Sequence, residues 1–337
     1  MKIKKWTSVF LLFCMSLIAC KRQMPYFFTE GEIFHTNFHI KYQHNRELSK
    51  EIKACLDSFD LSLNPFNKNS IIYKVNHNED VEIDDWFAAV FNKAQEVSEI
   101  TGGIYDVTCA PLINLWGFGY EKIGETNQNA IDSVKQFVGY TKVRLDGKKV
   151  IKEDMRLQIN ASSLAKGYAC DVIAELFDYM HICNYMVEIG GEIRAKGYNP
   201  DNQAWKIEIT KPFDDCSGQK MERLEIVQLK DLSLATSGNY RNFYIKDGKK
   251  YAHTINPVTG YPSEENILSA TVIYPDCMTA DAFATAFMAL GREKACEIAS
   301  HIPEMDYLLV YLDANGNFQE EKSVRMEKYL FKDLSQP

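Results

Sequence analysis

The stretch "NYMVEIGGEIRAKG" (residues 184–197) decides the fold class. Two short apolar-alternating runs flank Gly190-Gly191, so the segment reads as strand, glycine turn, strand. Such a tight connection joins antiparallel neighbours, because parallel strands need a crossover of a dozen or more residues. Working outward, the same reading gives strands in "IFHTNFHIKY" (33–42), "RLQIN" (156–160), "WKIEIT" (205–210), "LSLAT" (232–236), "ILSATVIY" (267–274) and "DYLLVYLD" (306–313). It gives a hairpin in "KVRLDGKKVIKED" (142–154) around Asp146-Gly147, and further strand in "NFYIKDGKKYAHTI" (242–255).

Helices are interspersed. "RELSKEIKACLDSFDLSL" (46–63) carries Leu48, Ile52, Leu56 and Phe59 at helical spacing, and "DDWFAAVFNKAQEVSEIT" (84–101) is amphipathic and stopped by Gly102-Gly103. "IDSVKQFVG" (131–139) is a short helix. "SSLAKGYACDVIAELFDYM" (162–180) sets Leu164, Tyr168, Val172, Leu176 and Met180 on one face. "CMTADAFATAFMAL" (277–290) is an apolar helix with Thr279 as its cap. Many hairpin-connected strands among helices make an α+β fold with mixed or antiparallel sheets, not a regular βαβ series. No G-x-G-x-x-G or G-x-x-x-x-G-K-[ST] occurs, so neither a dinucleotide fold nor a P-loop has support.

The 337 residues carry a net charge of −8 with Lys and Arg dispersed, which argues against a nucleic-acid partner. Lys2, Lys4 and Lys5 precede an apolar stretch, Trp6–Ala19, too short to span a membrane and suited to a secretory signal. It ends in Leu17-Ile18-Ala19-Cys20, which looks like a bacterial lipobox with Cys20 as the lipid attachment point. Residues 1–19 are then a lipoprotein signal peptide, 20–28 the lipidated cysteine and tether, and 29–333 the folded domain. Without Cys14 and Cys20, seven of the nine cysteines remain, an odd number with no C-x-x-C and no zinc spacing. They read as mostly buried thiols.

Five stretches carry candidate chemistry. In "CMTADAFATAFMAL", Asp281 and Thr285 are four apart and share a side. An acid near a helix start is ordinarily a dipole partner. One carboxylate with one hydroxyl also suits Mg²⁺ when phosphates and waters complete its shell. In "NASSLAKGYACD" (160–171), Ser162 or Ser163 caps a helix whose free amides favour an anion, and Lys166 pairs with a phosphate or with Asp171. In "YAHTINPVTGYP" (251–262), His253 stands beside a rigid turn, a place for a general base or a phosphate-facing imidazole. "TGGIYDVTCAPLINLWGFG" (101–119) is dense in glycine and aromatics, fit to wall a planar ligand or to fill a core. Gly190-Gly191 is a tight turn or a close approach to a ligand, and "ATSGNYRNF" (235–243) adds a polar turn.

These segments, in this order, resemble the ApbE family, the FAD:protein FMN transferases, over nearly the whole chain after residue 31. The resemblance implies a single large catalytic domain of T-fold-like build. It implies binding of FAD with Mg²⁺, transfer of FMN through its phosphate to a Thr or Ser hydroxyl of an acceptor protein, and release of AMP. By motif, Ser163 (through its carbonyl), Asp281 and Thr285 are expected to hold the metal. Phe34, Ile104, Tyr105, Asp106, Asn160, Lys166 and Ile255 are expected to contact FAD. His253 is expected to activate the acceptor hydroxyl or to stabilise phosphate charge. The family usually has Asp where Asn160 stands and an acid where Asn256 stands, and some members carry a second acid at Ala284. The implied acceptors are flavin-carrier proteins or domains of membrane electron-transfer complexes. The implied location is exported, lipid-anchored to a bacterial membrane and facing the periplasm. Two other readings use the same residues: an Mg²⁺-dependent FAD pyrophosphatase giving FMN and AMP, and a flavin-binding lipoprotein.

Overall fold

The computed structural model describes residues 24–119, 126–212, 222–239, 243–246, 249–263 and 265–331. The expected hairpin forms as β3 (Tyr185–Ile189) and β4 (Glu192–Lys196), with Gly190 and Gly191 at φ 65° and 103°. Positive φ at both turn residues is what glycine supplies without steric cost.

β3 pairs with β2 (Thr36–Gln43), which turns back onto β1 (Tyr26–Ile33). The single first strand expected over 33–42 is therefore corrected. The chain reverses at Phe34 and His35, both at positive φ. Neither residue is a glycine or asparagine, so the usual hairpin signal is missing from the sequence. On the other side, β4 pairs with β5 (Leu232–Gly238), followed by β6 (Ile267–Tyr274), β7 (Asp306–Leu312) and β8 (Phe318–Lys322). All these pairs are antiparallel, and order in space follows order in the chain.

Strand alternation gives the sheet two buried faces. Ala235, Val272 and Leu309 face the main cluster with the helices. Their neighbours Leu234, Ile273 and Leu308 face a second cluster, with the hairpin of Trp205–Thr210 and Arg223–Leu229. The helical side holds α1 (Ser49–Leu63), α2 (Asp85–Ile100), α3 (Ala165–Tyr179) and α4 (Cys277–Leu290), with α5 (Arg292–Ser300) beside α4. α4 is apolar on nearly every side and is correspondingly buried all round. In α3 the buried stripe includes Ala169, Cys170, Ile173 and Phe177, broader than the face expected from Leu164 to Met180.

Two further expectations are corrected. "RLQIN" makes only a single bridge, Gln158 to Cys109. The Asn76 side chain takes the place of a strand there, donating to the Ile159 carbonyl and accepting from its amide at 2.8 and 2.7 Å. The helix expected over 131–139 runs Gln128–Lys135, because Asn127 caps it by accepting from the Ala130 amide. The six cysteines among the described residues are free thiols, and no helix there is long and apolar enough to cross a membrane. The readings of residues 1–19 and of Cys20 lie outside the described residues.

Candidate active site

The site is built where α3 and α4 begin. α4 starts three residues before the expected cap, since Asp276 accepts from the Thr279 amide at 2.8 Å. The Asp171 carboxylate of α3 takes the next two amides, Cys277 at 2.9 Å and Met278 at 2.8 Å. The start of α4 is thus already supplied with two acids. Asp281, the fifth residue of the helix and 3% exposed, is not its dipole partner. It accepts instead from the Gly167 amide in the first turn of the neighbouring helix α3, at 3.0 Å.

No side chain caps α3, which corrects the expected role of Ser162 or Ser163. The Ser163 hydroxyl meets the Tyr105 hydroxyl at 2.8 Å, and the Ser162 amide donates to Asn160 Oδ1 at 2.8 Å. The Gly167 amide is the one that would close a helical turn onto the Ser163 carbonyl, and it is diverted to Asp281. Gly167 itself makes room for the crossing: a Cβ there would lie 2.3 Å from the Cys277 carbonyl oxygen and 2.8 Å from Asp281 Cβ.

Lys166 does not reach Asp171. Its Nζ lies 2.6 Å from Glu192 Oε1 and 3.9 Å from Asp281 Oδ1. Burial raises the pKa of both Asp281 and Glu192, with the Lys166 charge opposing the rise at each. Burial disfavours the Lys166 charge, but Asp281 and Glu192 overcome it and hold its pKa above the ordinary lysine value. One ammonium therefore faces two buried carboxylates, and Glu192 Oε2 has no hydrogen-bond partner. A group of this kind has room for one more positive charge. The available donors are oxygens: the Asp281 carboxylate, the Ser163 carbonyl and the Thr285 hydroxyl. Among the described residues no group of three or more His, Cys, Asp and Glu could hold a metal. Few protein oxygens beside an open cleft fit Mg²⁺, which keeps water and substrate phosphates in its shell.

That cleft has a volume of about 490 Å³, within the usual range for small-molecule sites. Ser163, Lys166, Asp281 and Thr285 line it, and so do Ile104, Tyr105, Asp106, Asn160, His253 and Ile255. Phe34 stands apart from this lining and packs edge-on against Phe59, with ring centroids 5.7 Å apart. Asp106 is held inward: its carboxylate accepts from the Thr108 amide and hydroxyl and from the Tyr140 amide, each at 2.7 Å, which fixes the backbone that presents Ile104 and Tyr105. Asn256 accepts from the Val258 and Thr259 amides and so makes the turn without a charge. Trp116 Nε1 donates to the Gly260 carbonyl at 2.8 Å and ties that turn to the aromatic segment. Ala284 is fully buried in the apolar core.

Two lining residues escape the sequence reading. Phe66, 54% exposed, sits in the loop after α1. Asn64 and Asn67 bind Asp60 there, and Asn64 accepts from the Phe66 amide. The cluster "NPFNKNS" (64–70) was the available signal, a polar turn around one aromatic. Glu192 lay inside the quoted hairpin but gave no sign of facing the helices.

Residues 34–309 match the ApbE family. A curated FAD:protein FMN transferase from Haemophilus influenzae is 35% identical over 90% of this chain and 91% of its own length. One from Vibrio cholerae is 32% identical over 98% of this chain and all of its own. Among solved structures, the flavin transferase ApbE from Vibrio cholerae superposes with a TM-score of 0.81 at 32% identity, covering 91% of this chain and 99% of that one. The apo flavinyl transferase ApbE of Pseudomonas stutzeri gives a TM-score of 0.80 at 27% identity, over 92% and 98%. A family match across most of the chain, relatives of this identity and coverage, and a shared fold agree: the chain belongs to the ApbE family.

Proposed function

We propose that the chain splits FAD at its pyrophosphate in an Mg²⁺-dependent reaction, passes FMN to a Thr or Ser hydroxyl of an acceptor protein and releases AMP. The chain is an enzyme, an FAD:protein FMN transferase, as its curated relatives are named. The observation that carries the finer reading is the buried, under-neutralised Asp281 in the wall of a cleft shared with His253.

Asp281, Thr285 and the Ser163 carbonyl would hold Mg²⁺. When bound, it supplies charge neutralisation on the phosphates and a template for displacement. The protein's own residues do the rest. Lys166 sets a fixed positive charge in the cleft wall, where an anionic phosphate gains most from it. Ile104, Phe66 and Ile255 offer apolar surface for a planar ring. His253 takes the proton of the acceptor hydroxyl as its oxygen attacks the FMN phosphorus, and the bond to the AMP phosphate oxygen breaks. The acceptors fit the class of flavin-carrier domains of membrane electron-transfer complexes. We also propose that the enzyme is exported and lipid-anchored through Cys20, facing the periplasm. Loss of acyl labelling in Cys20→Ser is the expected result.

The test is incubation with FAD, Mg²⁺ and a competent carrier domain, followed by fluorescence of the carrier band in a denaturing gel. Asp281→Ala and His253→Ala are each expected to reduce labelling by at least ~10²-fold while leaving the fold intact. Release of free FMN and AMP with no labelled carrier would establish a pyrophosphatase. FAD held unchanged would establish a binding protein.

A further inference from the structure

Glu192 is the buried acid that the transfer reading leaves without a task. It opens β4 with its side chain 5% exposed, turned toward α3, while the next residue, Ile193, packs in the cluster on the other face of the sheet. Its Oε1 holds Lys166 Nζ at 2.6 Å, and the same Nζ stands 3.9 Å from Asp281 Oδ1, inside ion-pair range but beyond a hydrogen bond. An ammonium resting on Asp281 would occupy the oxygen a divalent cation needs, and would repel the cation. With two acids within reach, the lysine's position decides whether Asp281 is free.

We propose that Glu192 is a positioning residue that draws Lys166 away from Asp281 and so keeps that carboxylate available to a divalent cation. The inference rests on the reading of Asp281 as a metal ligand. It assigns Glu192 no contact with the cation and no part in the chemistry. Without the Glu192 charge, Lys166 has one buried acid left to neutralise and moves onto it. Without Lys166, both acids are open.

The test is calorimetric titration of Mg²⁺ into the folded protein without FAD, for the wild type, Glu192→Gln, Lys166→Met and the double variant. Circular dichroism checks that each is folded. Glu192→Gln is expected to weaken Mg²⁺ binding at least ten-fold. Lys166→Met is expected to bind Mg²⁺ more tightly than the wild type, and the double variant to match Lys166→Met. Lys166→Met is an independent arm should Glu192→Gln fail to fold, and weaker binding by Lys166→Met overturns the proposal. So does equal affinity of the wild type and Glu192→Gln, or an undiminished Glu192→Gln effect in the Lys166→Met background. A wild type that takes up no Mg²⁺ removes the metal reading itself, an outcome distinct from these.

Discussion

Gly167 has no side chain, and two helices use the space. Its amide serves Asp281, and its missing Cβ admits the Cys277 carbonyl of α4. Gly167→Ala puts a methyl 2.3 Å from that backbone oxygen, which only movement of a helix can relieve. Overpacking of this kind costs about 1–3 kcal/mol. The same movement displaces Asp281 from its amide donor, so transfer is expected to fall together with stability. Urea unfolding and the carrier-labelling assay measure the two, and an unchanged pair of values would remove this role from Gly167. The sequence places Asp281 and Gly167 in motifs but hides their relation. Thr279 and Asp276 are both fair cap candidates three residues apart. Choosing the nearer one puts Asp281 in the first turn, where it looks like a dipole partner.

At the scale of elements, α3 lies across β4 with opposite charges matched. Lys166 meets Glu192, and Asp171 lies 4.0 Å from Arg194 while capping α4. Burial pushes the Asp171 carboxyl up to about 7, with the Cys277 and Met278 amides opposing. The folded protein therefore keeps a proton that the unfolded chain releases near the ordinary carboxylate value. The stability tied to this proton is full below that value and is lost as pH rises through about 7. In Asp171→Asn the loss is absent. The stability of the wild type relative to this variant should then decline steadily between about pH 4 and about pH 7, by a few kcal/mol. Urea unfolding across that range reads the difference, and parallel pH profiles would refute it. The long periodic helices and the glycine hairpin were legible because each carries its own pattern. "RLQIN" was not, since a strand-like alternation says nothing of whether the partner is a strand or the Asn76 side chain. The turn at Phe34-His35 was equally hidden, as ordinary residues adopt positive φ there.

For the molecule as a whole, a ligand that binds only the folded state stabilises it by mass action. Mg²⁺ at one hundred times its dissociation constant should add about 2.7 kcal/mol. A chelator should remove that gain, and Asp281→Ala should show no shift with Mg²⁺; thermal unfolding with and without the ion gives both results. The fold class was readable from local pairings and most of the cleft lining from the family motifs, but the contacts that join them were not, because the walls come from distant parts of the chain. Gly167 and Asp281 are 114 positions apart, and the strands add to the sheet in the order in which they occur. A ribosome therefore makes α3 and its waiting amide long before the acid that answers it. Until α4 has been synthesised, the growing polypeptide lacks Asp281, the acceptor of that amide. On the proposed reading of the site, a fragment that ends before α4 lacks both Asp281 and Thr285 and is expected to show no transfer.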